Sequence, residues 1–190
     1  MSSVRAYYLP STDSASSESH PVSVQQLHTL GWKISFVQAK STSEIEQVGR
    51  KLAQELEFPV TEKGCVVPYS FEPEKNAVPE MFTMMTKAVE AENGDICMSD
   101  DVFVIITSGS FYVDIEDVPA AGWIRIHLQP RMLIHIPPGA KYHRSCDERN
   151  RKVTGIAFFK NTMANQGMLA KKEIDNHPAR QAYLEALGQI

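Results

Sequence analysis

The fold is decided by residues 108–146, which read SGSFYVDIEDVPAAGWIRIHLQPRMLIHIPPGAKYHRSC. Short segments rich in β-branched and aromatic residues recur in this stretch, and turn-forming Gly, Pro and Asp separate them about every ten residues. Segments of the same kind flank it, VFVIIT from Val102 and KVTGIAFF from Lys152. This spacing predicts an antiparallel sandwich or barrel.

Two helices are predicted ahead of that region. The segment SVQQLHTLG offers Ser23 as a helix N-cap, and STSEIEQVGRKLAQELEF follows a Ser/Thr cap with apolar residues at helical spacing. These apolar residues are expected to face inward: Ile45, Val48, Leu52 and Leu56. Short β-type segments at residues 4–9 and 32–38 alternate with the two helices.

Two further helices are predicted, one before the β-rich region and one after it. VPEMFTMMTKAVEAENG, residues 78–94, should bury four apolar side chains in the core: Met81, Met84, Met85 and Val89. DNHPARQAYLEAL, residues 175–187, should pack back through Tyr183, Leu184 and Leu187. The chain is therefore expected to be α+β and mainly β, with helices outside the barrel.

Composition narrows the class of protein. The 190 residues carry 19 Lys and Arg against 23 Asp and Glu, a net charge of −4, and we expect one domain over residues 1–190. The sequence has no cluster of basic residues of the kind that binds a nucleic acid, so a nucleic-acid partner is not expected. It also has no apolar run of roughly 20 residues that could span a bilayer, so a membrane span is not expected. A cytoplasmic protein is expected, with Cys65, Cys97 and Cys146 as reduced thiols because they have no pairwise metal spacing.

The segments SGSFYVDIED, GWIRIHLQ and IPPGAKYHRS resemble the barrel of the acireductone dioxygenases, metal-dependent enzymes of methionine salvage in the cupin superfamily. That family has the patterns G-S-G-Y-F-D-V, W-I-R-I and L-P-A-G-I-Y-H-R-F. VRAYYLP, LHTLGWKISFVQ and HPARQAYLEAL also have counterparts there. The resemblance implies a cupin-type antiparallel barrel, a double-stranded β-helix, over about residues 94–160, with the N-terminal helices packed outside it.

In that family an iron or nickel ion is held by an H-x-H-x-x-x-E motif and a later His. The resemblance places the first three ligand positions on Ile96, Met98 and Val102, and the fourth on His143. Isoleucine and valine have no donor atom, and a methionine thioether is poorly matched to such an ion. One imidazole cannot hold an ion that needs three or four ligands, so neither a metal nor another cofactor is expected.

The family's substrate-binding arginines are replaced as well, by Val104 and Ile156. Because alternate residues of a strand share a face, we expect five apolar side chains to point together into the barrel: Ile96, Met98, Val102, Val104 and Ile106. Cys97 lies between two of them and should point away from the interior. The interior is thus predicted to be apolar.

Whether other residues rebuild a metal site is left open by the sequence. Asp100 and Asp101 lie between the replaced ligand positions, and three histidines lie on the neighbouring predicted strands: His127, His135 and His143. The two acidic residues match positions that flank the ligands in the family without binding metal. Lone histidines on strands are more often surface residues or hydrogen-bonded core residues than ligands.

Three functions fit these residues. The first is a metal-independent enzyme of specialised metabolism that isomerises, dehydrates or cyclises an apolar metabolite, with His143 as acid–base group and Tyr142 assisting. The second is an inactive relative with a binding or regulatory role, which a filled barrel would favour. The third is a metal-dependent dioxygenase with unusual ligands.

The first function requires a partner that is a largely apolar small molecule, and a homodimer is compatible with the sequence. Its predicted substrate contacts lie on the strands expected to line the pocket. They are Ile96, Met98, Val102, Val104, Ile106, Tyr112, Thr154 and Ile156.

Overall fold

The computed structural model describes residues 4–10, 20–71, 94–146, 152–162, 168–169 and 171–190. In these ranges no helix is long and apolar enough to cross a membrane. The candidate helix at residues 78–94 lies outside them, apart from its last residue, and with it the four expected core residues Met81, Met84, Met85 and Val89.

The strands in the described ranges form two antiparallel sheets of five strands each. The first sheet has the order β1 (Arg5–Tyr8), β7 (Gly122–Leu128), β6 (Phe111–Asp117), β9 (Lys141–Cys146) and β4 (Ile96–Cys97). The second has the order β2 (Lys33–Phe36), β8 (Met132–Ile136), β5 (Val102–Ser108), β10 (Val153–Phe159) and β3 (Val66–Phe71). Most successive strands lie in opposite sheets, the exceptions being β2 with β3 and β6 with β7, and the predicted cupin-type barrel is confirmed.

A buried apolar cluster, called here the interior cluster, lies between the two sheets. Each strand contributes alternate residues to it, because successive side chains of a strand point to opposite faces. Strand β7 gives Ile124, Ile126 and Leu128, and β8 gives Met132, Ile134 and Ile136. The remaining residues of these strands face outward.

Helix α1 (Val24–Thr29) begins as predicted at Ser23, whose hydroxyl accepts a hydrogen bond from the Gln26 amide at 3.1 Å. Helix α2 (Thr42–Glu55) has Ser41 as N-cap, and the Ser41 hydroxyl accepts from the Glu44 amide at 3.2 Å. These bonds satisfy amides that a helix start leaves unpaired.

Helix α2 covers the outer face of the second sheet and forms an outer cluster with it. Ile45, Gly49 and Ala53 are its buried residues, while Val48 and Leu52 are partly buried. A Cβ at Gly49 would lie 3.0 Å from Ile105 Cγ2, so the small residue lets the helix approach the sheet. The expectation for Leu56 was wrong: the helix ends at Glu55, and Leu56 is 48% exposed.

Two short helices, α3 (Lys171–Ile174) and α4 (Pro178–Ala186), end the chain. The Tyr183 hydroxyl donates to the Leu30 carbonyl at 2.9 Å, and the buried Arg180 donates to the Gly139 carbonyl at 3.2 Å. Tyr183 is buried, and Leu187 packs against the interior cluster. The final helix therefore packs back on the barrel as predicted through Tyr183 and Leu187, whereas Leu184 is only partly buried and belongs to none of the apolar clusters of the described residues.

Candidate functional site

The barrel wall carries the five apolar residues predicted to face inward. Four of them are almost completely buried in the interior cluster, with exposed fractions of 0–5%: Ile96, Met98, Val102 and Ile106. The fifth, Val104, packs against the same cluster. Strand alternation thus brings all five together, and their role in binding a substrate stays a prediction.

Val104 differs from its neighbours because it is only partly buried, although it faces inward from the central strand of the second sheet. Val67 and Tyr69 on β3 face the same side and are also partly buried. Register explains their proximity, because Ala157 pairs with both Val104 and Val67. These three partly buried residues mark the part of the interior that neighbouring side chains cover least completely, called here the barrel hollow.

The Tyr69 ring packs over the backbone of Gly155, a position with no side chain. It pairs with Gly155 of β10, and a Cβ built on Gly155 would lie 2.6 Å from the Tyr69 hydroxyl oxygen. The hydroxyl is shielded from solvent and has no hydrogen-bond partner among the described residues. Burial raises the pKa of Tyr69 well above its usual value, so the phenol is neutral.

Arg144 lies on the inward-facing side of β9, directly opposite the buried Val113 of β6. Its side chain is exposed. Burial is the larger effect and raises the pKa of both Tyr69 and Tyr142. The positive charge of Arg144 acts in the opposite direction and lowers both pKa values. By register, Arg144 therefore shares the inward side of β9 with Tyr142.

Tyr142, predicted as a catalytic residue, does face the interior. It is 6% exposed and packs edge-on against Trp32, with the ring centroids 5.8 Å apart. It also pairs with Ile96 across β4 and β9. Burial raises the pKa of the Tyr142 phenol. A catalytic role for this residue stays a prediction.

His143 does not face the interior, which corrects its predicted position as the proton shuttle. Adjacent strand residues point to opposite faces, so His143 faces outward because Tyr142 faces inward. There its ring stacks on Trp123 with a centroid separation of 4.0 Å, and its Nε2 atom hydrogen-bonds to Asp95 Oδ1. His143 is therefore part of the outer surface of the first sheet.

Tyr112 is also on that outer face and not in the interior where it was predicted, and its contact with a substrate stays a prediction. The Tyr112 ring centroid lies 4.9 Å from the His127 ring centroid. The Arg125 guanidinium carbon lies 5.1 Å from the Tyr112 ring centroid. Arg125 in turn donates to both carboxylate oxygens of Asp114, each at 2.7 Å. The sheet register places these polar side chains in one layer outside the barrel.

Thr154 and Ile156 lie on the outer face of the second sheet, so neither lines the interior as predicted. The Thr154 hydroxyl is 2.9 Å from the Thr107 hydroxyl, and Ile156 packs in the outer cluster beneath α2. Val153, Ala157 and Phe159 are the β10 residues that reach the interior cluster. The register of β10 against β5 shifts between Thr154 and Gly155.

The donor set does not fit a metal ion. Ile96, Met98 and Val102 stand where imidazoles and a carboxylate would be needed, and His143 points away from them. His135 lies outside the second sheet, where its Nε2 atom is 2.6 Å from Asp101 Oδ1, whereas His127 lies outside the first sheet. The described residues contain no group of three potential His, Cys, Asp or Glu ligands.

Cys97 faces away from the interior, as alternation predicts. It is fully buried with Leu169 and Ile174 in a separate small cluster. Burial raises the pKa of its thiol to about 11. The thiolate that a nucleophile requires is therefore disfavoured at this position.

A cavity of about 280 Å³ is lined by Tyr8, Gln26 and Asp117 among others. The Tyr8 hydroxyl donates to Asp117 Oδ2 at 2.5 Å and accepts from Gln26 Nε2 at 2.7 Å. These polar groups satisfy one another, and the cavity is open to solvent. The hollow has the stronger claim as a ligand site because its polar groups are not paired in this way.

Sequence reasoning missed Tyr69 and Arg144. Arg144 could have been found, because it lies two residues from Tyr142 in KYHRS and so shares its face. Tyr69 lies in VVPYSF, where Pro68 weakens the strand pattern, and its edge position explains why a proline is tolerated.

Comparisons with known proteins give the same family name as the resemblance. No family model matches the chain. An acireductone dioxygenase of Puccinia graminis f. sp. tritici is 27% identical over 84 residues, 44% of this chain and 46% of that protein. Acireductone dioxygenase 2 of Vitis vinifera is 33% identical over 91 residues, 48% of this chain and 44% of that protein. The chain thus matches just under half the length of these curated relatives.

Among solved structures, the acireductone dioxygenase of Bacillus anthracis, which has a cadmium ion in its active centre, superposes with a TM-score of 0.60 at 13% identity. The match covers 85% of this chain and 96% of that one, and at this identity it concerns the fold. Sequence and fold comparisons together identify the chain as a relative of the acireductone dioxygenases with a cupin fold.

Proposed function

We propose that the chain is a metal-independent enzyme that binds a largely apolar small metabolite inside its barrel. The reaction class is isomerisation, dehydration or cyclisation, within specialised metabolism. The observation that carries the proposal is the convergence of Ile96, Met98, Val102, Val104 and Ile106 on the barrel interior. A wall of this kind removes an apolar ligand from water and leaves a few polar groups to orient it.

The polar groups at the hollow favour proton donation over metal chemistry. Burial keeps the phenols of Tyr69 and Tyr142 neutral at physiological pH, and a neutral phenol donates a hydrogen bond to a carbonyl oxygen. Such a donor stabilises negative charge that develops on that oxygen during enolisation. A shaped wall can also hold the reacting ends of one molecule together, which lowers the entropic part of the barrier.

A second candidate is an inactive relative that has kept only a binding or regulatory role. It is favoured by the near-complete burial of Ile96, Met98, Val102 and Ile106, which fill much of the space around the replaced metal position. The partial exposure of Val104 and Tyr69 favours the enzyme, because neighbouring side chains do not cover these two residues completely.

Metal-dependent dioxygenase activity is the third candidate and has the least support. Oxygen activation in the curated relatives' family needs a bound ion, and the interior donor set described above lacks the atoms to hold one. The proposal therefore contains no step on a metal.

The binding step can be tested with 3-phenylpropanamide, a neutral and largely apolar probe, by NMR of isotope-labelled valine methyl groups. We expect saturable shifts at Val104 and Val67 in protein treated with EDTA. A Val104→Phe change should abolish the shift at Val67 by filling the hollow. Thr154→Val, on the outer face, is the matched control and should leave them unchanged.

The opposite pattern would contradict the proposal. Val104→Ala enlarges the same space and serves as a second variant in case Val104→Phe disturbs folding. Shifts confined to residues of the outer cluster, or binding that survives Val104→Phe in a folded protein, would place the ligand site elsewhere.

A further inference from the structure

The cavity beside Tyr8, called here the Tyr8 cavity, contains a buried carboxylate whose charge the described residues do not balance. Asp117, the last residue of β6, is 4% exposed and is one of the residues that line this cavity. None of the ion pairs of the described residues includes Asp117. A buried charge without an opposite charge costs free energy, because its hydration is lost. Asp117 thus leaves a negative charge that a bound cation would balance.

The hydrogen bonds of Asp117 occupy its oxygens but do not neutralise it. Oδ1 accepts from the Ala120 amide at 3.2 Å, and Oδ2 accepts from the Tyr8 hydroxyl at 2.5 Å. Burial and the Asp117 carboxylate together raise the pKa of Tyr8 to about 12, so the phenol keeps the proton that it donates. Both partners of Asp117 are therefore neutral donors.

The proton on Tyr8 fixes the orientation of Gln26. Because the Tyr8 hydroxyl donates its only hydrogen to Asp117, its oxygen can only accept from Gln26, which turns its amide nitrogen Nε2 toward it at 2.7 Å. The carbonyl oxygen Oε1 of Gln26 is then left as an acceptor, and one hydrogen on Nε2 is also left. The Thr29 hydroxyl donates to the Gln26 main-chain carbonyl at 2.7 Å, so its oxygen too is an acceptor. The lining therefore suits a ligand rich in hydrogen-bond donors.

The rest of the lining favours an organic cation over a metal ion. Leu30, Pro119 and Ala120 add apolar surface to the lining, and the volume of about 280 Å³ exceeds what one ion fills. Calcium and magnesium ions need several oxygen ligands, commonly from more than one carboxylate. Asp117 is the one carboxylate in this lining, and no group of three potential His, Cys, Asp or Glu ligands occurs in the part of the chain that the structure describes.

We propose that the Tyr8 cavity binds a small organic ammonium ion, whose charge Asp117 balances and whose N–H groups donate to Gln26 Oε1 and the Thr29 hydroxyl. The apolar part of the ligand lies against Leu30 and Ala120. This inference goes beyond the proposed function and does not depend on it, because none of the three residues that mark the barrel hollow lines the Tyr8 cavity.

The test compares benzylammonium with benzyl alcohol, which have the same ring and differ in charge at pH 7. Dissociation constants are measured from the NMR shifts of isotope-labelled Leu30 and Ala120 methyl groups. The parent protein should bind benzylammonium about tenfold more tightly, as one charge-assisted contact provides. Asp117→Asn keeps an oxygen acceptor and removes the charge, so it should abolish this preference.

Asp175→Asn is the matched control, because the same change removes an exposed carboxylate that pairs with Lys141 and does not line the cavity. It should keep the tenfold preference. Ala120→Trp is a second variant in case Asp117→Asn disturbs folding. It leaves the main-chain amide of residue 120 in place and fills the cavity, so it should abolish the binding of both probes, as followed at Leu30.

Equal affinities of the parent protein for the two probes, or a preference that survives Asp117→Asn in a folded protein, would overturn this inference. Binding that survives Ala120→Trp would place the ligand elsewhere and overturn it as well. Loss of benzylammonium binding in the presence of equimolar potassium chloride would show that the site prefers an inorganic ion, against the proposal. These outcomes leave the proposed function untouched, because it is tested at Val67 and Val104.

Discussion

The Tyr69 side chain occupies the space that any side chain at Gly155 would need. A Cβ on Gly155 would lie 2.6 Å from the Tyr69 hydroxyl oxygen, 2.7 Å from its Cε1 atom and 2.5 Å from the Ile105 carbonyl oxygen. Contacts this short force either the ring or the strand to move. The pair therefore fixes one wall of the barrel hollow.

Replacing Gly155 with alanine should lower the free energy of unfolding by about 2 kcal/mol or more, as overpacking a buried site does. Urea denaturation followed by circular dichroism measures this. Gly122→Ala is the control, because a Cβ there meets only atoms at 3.8 Å or beyond and should change stability little. Similar stabilities of the two variants would show that Tyr69 is not held over Gly155.

Asp95 and His143 should be energetically coupled on the outer face of the first sheet. A double-mutant cycle with Asp95→Ala and His143→Ala should give a coupling free energy of about 1 kcal/mol, because the two side chains share one hydrogen bond. The cycle of Asp95→Ala with His135→Ala is the control. His135 lies outside the other sheet, so these effects should add.

Probe binding should be insensitive to His143. His143→Gln removes the imidazole from the stack with Trp123 but changes no residue of the interior cluster. We expect the affinity for 3-phenylpropanamide to stay within about twofold, since residues with no shared partner rarely couple. A tenfold loss in a folded variant would return His143 to the interior, where sequence reasoning had placed it.

Asp101 should titrate below its usual pKa of 3.8, chiefly because it accepts a hydrogen bond from His135. A lowered carboxyl pKa stabilises the folded state above pH 3.8, and that contribution is lost as the pH falls through the folded-state pKa. His135→Phe should raise the Asp101 pKa, as followed by carboxyl carbon NMR. Asp175, whose pKa is lowered mainly by Lys141, is the internal control and should not respond.

Nickel or iron(II) should not stabilise the protein. A metal held at a hundred times its dissociation constant would add about 2.7 kcal/mol to the unfolding free energy. We expect thermal unfolding of EDTA-treated protein to be unchanged by added metal, because Ile96, Met98 and Val102 offer no suitable donors. A rise in Tm that His143→Ala abolishes would contradict this.

The sequence predicts the barrel well because turns and β-rich segments alternate regularly from Val102 to Phe159. It also predicts the inward residues of β5, where family alignment and strand alternation agree. The failures have physical causes. Tyr142 and His143 were both expected to act in the interior, although adjacent residues of one strand point to opposite faces.

Strand β10 could not be oriented from its sequence. Both of its faces are buried, one in the interior cluster and the other beneath α2, so VTGIAFF shows no alternation of polar and apolar residues. The register shift after Thr154 adds a local irregularity that periodicity does not reveal. Ile156 and Thr154 were misplaced for this reason.

A crystal structure of EDTA-treated protein soaked with 3-phenylpropanamide tests most directly whether the barrel is a ligand site without a metal. The predicted result is density for the probe beside Val104 and Val67. A metal ion among Ile96, Met98 and Val102, or a hollow closed by side chains with the probe absent, would contradict it.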